Sequence, residues 1–249
     1  MQRKPVNALR ILALVVVTSS IALFAPVKAL FIYLAPQSED IQTELDRAID
    51  SGIAGMIVHV DTGINTLPQS YAAGLHNRQT QQPAQTAALF KIASVSKLYV
   101  AAAVTRLAAN GQLDPDASLL KYLPQQAARI TNAGDITLRM LVQHRSGIAN
   151  YTDDPAFNWF EPFDEDSVTK QSLALIYDKP ALFDPGTDYA YSNTNYLLLG
   201  RIMDKTLGYS YRDYIQQEFL QPLGLHQTFG VLSEPLLPSL MSGYVSGYD

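Results

Sequence analysis

The stretch that most constrains this chain is Leu98 to Ala109, which is apolar on nearly every face when wound as a helix. A helix of that kind is predicted to be buried, so the rest of the chain must supply layers that cover it. Asn110-Gly111 supplies the stop, because both residues tolerate the left-handed backbone that ends helices. The start is unusual. Lys97 falls within the first turn, where unpaired backbone N–H groups already carry partial positive charge. Burial disfavours a cation there as well, and both effects favour the neutral amine that a general base needs. Ser94 lies three residues earlier, so the two side chains share one helix face. A hydroxyl beside such an amine is an activated nucleophile.

The spacing Ser-x-x-Lys is common. It occurs at Ser94/Lys97, Ser118/Lys121 and Ser167/Lys170, and each could be no more than a helix cap with a lysine reaching water. Context separates them. Ser118/Lys121 follows Asp114-Pro115-Asp116 and runs into Pro124, while Ser167/Lys170 follows Asp164-Glu165-Asp166 and reads as a capped surface helix. The first pair opens the apolar helix.

Composition narrows the possible functions. With 47% hydrophobic and 16% charged residues in 249, the chain is globular, with ample length for a core. It has no cysteine, which excludes disulfides and thiolate metal sites. Its four histidines (His59, His76, His144, His226) show no metal-ligand spacing, and no metal is expected. Net charge is −5 with no basic stripe, so nucleic acid is not an expected partner.

Residues 1–37 stand apart. Arg3, Lys4 and Arg10 form a positive flank ahead of the uncharged run Ile11–Ala25, which reads as an export signal or a membrane anchor. Val27-Lys28-Ala29 is a passable cleavage site; uncleaved, residues 11–34 have the length to span a bilayer. The main domain is then residues 38–249. A helix is expected near Ser38–Ser51, followed by a hairpin of Gly55–Val60 and Gln69–His76, and a polar loop at Gln79–Gln85. Ile136–Gln143 reads as a helix capped near Thr137. It ends at His144-Arg145-Ser146-Gly147, where His144 reads as a structural residue. Tyr151–Asp166 suits a long loop, and Ser167–Tyr177 a helix.

A second polar cluster, Tyr191-Ser192-Asn193-Thr194-Asn195, precedes the apolar helix Tyr196–Met203. The phenol of Tyr191 and the amide of Asn193 could project together into a cleft. Alternatively, Thr194 or Asn195 could simply cap the helix.

Taken in order, Ser94-Val95-Ser96-Lys97, Leu138 to Gly147 ending His144-Arg145-Ser146-Gly147, Phe183-Asp184-Pro185-Gly186 and Tyr191-Ser192-Asn193 resemble the serine β-lactamase and penicillin-binding superfamily. The closer match is its branch of class C β-lactamases, D-Ala-D-Ala carboxypeptidases and related esterases. The resemblance covers about residues 40–249. It implies an α/β fold, an antiparallel sheet flanked by helices plus a helical subdomain, with residues 40–90 giving sheet strands and 91–230 most of the helical part. It implies Ser94 as the nucleophile that forms an acyl-enzyme, with Lys97 and Tyr191 sharing the proton traffic and one of them acting as base. Asn193 would bind the amide side chain of the substrate, and the Ser94 N–H would be one oxyanion donor. No cofactor is implied. The leading expectation is a serine hydrolase acting on D-Ala-D-Ala peptides of peptidoglycan, exported and either freed by cleavage of its N-terminal segment or held at the membrane through it. A β-lactamase or esterase with the same residues, or a binding pseudoenzyme, are the alternatives. The family's third motif, Lys- or His-x-Gly, has no counterpart after Tyr191, so the chain is expected to lack the C-terminal strands and to carry an incomplete cleft.

Overall fold

The computed structural model describes residues 10–16, 19–20, 34, 36, 38–63, 66–158 and 165–244. Most of the segment read as a leader therefore lies outside the described residues, and so do 159–164 of the expected long loop; residues 10–16 are helical. Among the described residues no helix is long and apolar enough to cross a membrane. The chain divides into two units, one taking residues up to Ala88 and from Met241 onward, the other Leu89–Leu240.

In the first unit, helix α1 (Ile41–Asp50) begins where the sequence supplies a cap. Asp40 accepts from the Thr43 N–H at 3.0 Å and from the Thr43 hydroxyl at 2.7 Å. That capture starts the helix later than Ser38. Strands β1 (Gly55–Val60) and β2 (Gln69–Asn77) pair antiparallel, with Gly55 opposite Gly74 and Val60 opposite Gln69. Within the expected polar loop a two-residue strand β3 (Gln82–Pro83) adds to β2 across an irregularity between Leu75 and Asn77. Residues 241–244 join the same unit. The Ser242 N–H donates to His76 O at 2.9 Å, and the Arg78 guanidinium lies 4.7 Å over the Tyr244 ring.

The second unit is helical. Helix α2 (Ser96–Ala109) follows a 3-10 turn at Ala93–Val95 and ends at Asn110, with Gly111 left-handed at φ +72°. Val100, Ala103, Val104 and Leu107 are buried, the i, i+3, i+4, i+7 stripe of a helix with one covered face. The expectation of burial on every side is corrected here. Leu98 is 70% exposed and Ala102, Thr105, Arg106 and Ala109 face outward. The uniform apolarity came mainly from alanine, which exposes little surface and loses little by staying wet.

Helices α3 (Leu119–Tyr122), α4 (Pro124–Ala127), α5 (Leu138–Val142), α6 (Glu165–Ala174) and α7 (Asn193–Leu207) follow. Thr137 caps α5, its hydroxyl accepting from the Met140 N–H at 3.3 Å. The core gathers the buried stripe of α2 around Leu119, Leu138, Leu141, Leu198, Leu199 and Met203, six side chains that are each no more than 1% exposed. Each such side chain is worth about 1.5–3 kcal/mol of burial. Helix α8 (Tyr211–Ile215) runs into a π-turn at Gln216–Leu220, and a parallel bridge joins Leu89 to Leu240.

Candidate active site

Two chain segments of the helical unit build the site. The first is the entry to α2, where the 3-10 turn carries Ser94 on the exposed side and Lys97 follows half-buried in the first helical turn. Ala93, just before the serine, has φ +45°, a conformation that costs a residue with a Cβ and marks a tightly held turn. Lys97 Nζ donates to Ser94 Oγ at 3.1 Å.

The second segment is brought in by the end of α5. His144 leaves that helix at φ +57°, and the following residues pair with 182–190. The Gly186 N–H donates to Arg145 O at 2.9 Å, Leu182 N–H to Gly147 O at 2.9 Å and Ala190 N–H to His144 O at 3.0 Å. Gly147 is required there, since a Cβ would lie 2.3 Å from Phe183 O. The bracket delivers Tyr191, whose hydroxyl shares a 2.7 Å hydrogen bond with Ser94 Oγ. Asn193, the first residue of α7, accepts from Lys97 Nζ at 2.8 Å through Oδ1. The four residues singled out from the sequence thus form one hydrogen-bonded group.

Asn193 is itself anchored. Its main-chain N–H donates to Asn150 Oδ1 at 3.0 Å, and its Nδ2 to Asn150 Oδ1 and Thr152 Oγ1, both at 3.2 Å. With Lys97 donating from the other side, the oxygen of the amide must face the lysine and the nitrogen Asn150. Asn150 and Thr152 were not picked out from the sequence. Their signal was the polar side chains of Asn150, Thr152 and Asp153 around Tyr151, starting three residues after Gly147.

The helix-cap reading of Thr194 and Asn195 is corrected. Ser192 occupies the cap position without a side-chain cap bond, and Thr194 and Asn195 are fully buried. The Thr194 hydroxyl donates to Ala149 O at 2.7 Å, and Asn195 Oδ1 accepts from the Ser146 hydroxyl at 2.7 Å. These polar groups tie α7 to the bracket.

Burial works against ionising Tyr191, but hydrogen bonds with Lys97 and Ser94 and the lysine's charge outweigh it. The phenol is held below its ordinary range. Tyr151 and Tyr196 go the other way, raised by burial and by the neighbouring Tyr191. His144 is lowered by burial and by the Lys97 charge. Such an arrangement can move a proton off a serine hydroxyl toward a phenol that sits beside a cation. Among the described residues no group of three His, Asp or Glu side chains gathers as a metal site.

A family model described as Beta-lactamase matches residues 42–247. A β-lactamase of Pseudomonas fluorescens is 31% identical over 215 residues, 84% of this chain and 55% of its own length. Penicillin-binding protein 4 of Amycolatopsis lactamdurans is 31% identical over 185 residues, 74% of this chain and 46% of its own length. Among solved structures, a D-stereospecific amidohydrolase from Streptomyces sp. superposes with a TM-score of 0.64 at 28% identity, covering 76% of this chain and 55% of that one. The chain spans about half the length of the curated relatives it matches.

Proposed function

The chain belongs to the beta-lactamase family, and from that premise we propose that it is the Ser94-bearing part of a serine hydrolase working through an acyl-enzyme. The observation that carries this reading is the position of Ser94 Oγ, 2.7 Å from the Tyr191 hydroxyl and 3.1 Å from Lys97 Nζ. Tyr191 is the base in this account. Lys97 supplies charge to the phenolate, and the lowered pKa of the phenol supports that division of labour.

Ser94 Oγ attacks the substrate carbonyl as its proton passes to the Tyr191 oxygen. The Ser94 N–H, at the head of the turn, donates to the developing oxyanion. Collapse expels the leaving amine, which takes the proton back from Tyr191, and water then releases the acyl group by the reverse path. Asn193 binds an amide of the substrate by exchanging one of its Nδ2 bonds to Asn150 or Thr152.

The substrate we propose is a D-alanyl-D-alanine peptide of the cell wall, met outside the cytoplasm after export through residues 1–37. Relatives named as a penicillin-binding protein, a β-lactamase and a D-stereospecific amidohydrolase support this choice. The test is covalent labelling of the complete gene product with a fluorescent penicillin and with an activated phosphonate. Ser94→Ala is expected to abolish labelling, while Ser118→Ala and Ser167→Ala leave it intact. Labelling that survives Ser94→Ala would refute the assignment.

A further inference from the structure

Among the described residues of the helical unit, the His144 imidazole is a buried titratable group that the mechanism does not use. His144 is 8% exposed, and its ring packs on Tyr191 with centroids 4.6 Å apart and on Tyr196 at 5.1 Å. Its Nδ1 accepts from the Ser192 main-chain N–H at 3.1 Å, and Asn195 Nδ2 points at the same nitrogen from 3.4 Å. The direction of this chain of bonds is fixed. The Ser192 main-chain N–H can only donate, so Nδ1 presents its lone pair; the Asn195 nitrogen rather than its oxygen must then face His144, which leaves Asn195 Oδ1 to accept from the Ser146 hydroxyl at 2.7 Å. Two donors on Nδ1 leave the ring proton on Nε2.

We propose that His144 is a positioning residue for the proton transfer. As a neutral Nε2–H imidazole it pins Ser192 and backs the Tyr191 ring, holding the phenol oxygen on Ser94; protonated, it releases that segment. The inference rests on the reading of Tyr191 as the base. A proton added at Nδ1 would meet the Ser192 and Asn195 N–H groups head-on, and it would place a second cation near Lys97.

The titratable groups facing the ring are Lys97 from α2, Tyr189 and Tyr191 from the segment before α7, and Tyr196 from α7. Arg145, its neighbour in sequence, turns its guanidinium to Gly186 O. Burial and Lys97 both lower the His144 pKa from the usual imidazole value. The neutral form is therefore complete above the ordinary range of histidine and is lost as pH falls through the lowered folded value, so the effect is an acid limb.

His144→Asn keeps an acceptor near the Nδ1 position and tolerates the left-handed backbone at φ +57°. His144→Ala keeps neither. In the wild-type protein, histidine 15N NMR should show Nδ1 unprotonated and Nε2 protonated at neutral pH, and the Tyr191 13Cζ signal should step as His144 titrates. The rate of penicillin labelling should fall on that same acid limb. His144→Asn should label within a few-fold of wild type at neutral pH and lose the extra fall that tracks the histidine titration, keeping only the climb set by Tyr191. His144→Ala should lose about 10²-fold, the scale of a small misplacement of a reacting group. An Nδ1–H tautomer, or an acid limb unchanged in His144→Asn, overturns the inference. A wild type that does not label would count against Ser94, while the tautomer and the Tyr191 step would still decide the role of His144.

Discussion

Ser94–Lys97 and Ser118–Lys121 carry the same spacing, each at the entry to a helix of one unit, yet their surroundings differ. Lys97 lies half-buried over the rings of Tyr191 and Tyr196, at 5.0 and 5.6 Å, and donates to both Ser94 and Asn193. Lys121 has a side chain 63% exposed and reaches Asp114 at 3.8 Å, while Ser118 takes the extended cap position of α3. Spacing aligns a hydroxyl and an amine wherever a helix begins. What makes one pair a candidate site is a second segment, 189–193, that closes over it and adds a phenol and an amide acceptor.

That difference can be broken residue by residue. The largest effect should come from Tyr191→Phe, which removes the proposed base; acylation is expected to fall by about 10²–10⁴-fold. Tyr122→Phe, beside the second pair, should leave acylation unchanged. In stopped-flow labelling, a Tyr191→Phe rate near wild type would return the role of base to Lys97.

Lys97→Ala comes next, with acylation down by about 10² while non-covalent binding persists. Lys97→Arg should do no better, because the planar guanidinium does not reproduce the point contacts of the ammonium. Lys121→Ala should be silent. The pH profile sharpens the point. Tyr191 is held below its ordinary pKa, so wild-type acylation should climb with pH and level off short of the usual phenol range. Removing Lys97 withdraws a bond and a charge that favour the phenolate, so the rise should move to higher pH. A tyrosinate absorbance titration of Lys97→Ala against wild type checks the shift, and an unmoved Tyr191 would break the pairing.

Much of the first segment was legible, and less of the second. A strong helix, a Gly stop, a Thr cap and a β-branched hairpin are local signals, and Ser96–Ala109, Gly111, Thr137 and the β1–β2 pair lie close to where they pointed. The exposed face of α2 was not legible, because alanine fits either side of a helix boundary. Thr194 and Asn195 read as caps because local and tertiary hydrogen bonding use the same residue types. Their partners, Ala149 and Ser146, lie more than forty residues away. Asn150 and Thr152 were hidden for the same reason.

The smallest effect separates anchoring from chemistry. Asn150→Ala withdraws the acceptor from the Asn193 N–H and Nδ2, and the lost bonds should cost about 1–3 kcal/mol in thermal unfolding. Labelling should weaken mainly through poorer substrate binding, a KM effect with kcat little changed. A full loss of kcat would mean that Asn150 belongs with the four residues around Ser94.

The central claim is that Ser94 becomes acylated, and peptide mapping tests it most directly. After reaction with a penicillin, trypsin cuts after Lys91 and, where the adduct permits, after Lys97, giving the peptide Ile92–Lys97 with two serines. Fragmentation is expected to place the added mass on Ser94, with the peptides carrying Ser118 and Ser167 unmodified. An adduct on Ser96, Ser118 or Ser167, or a protein that shows no adduct after prolonged reaction, would contradict the account.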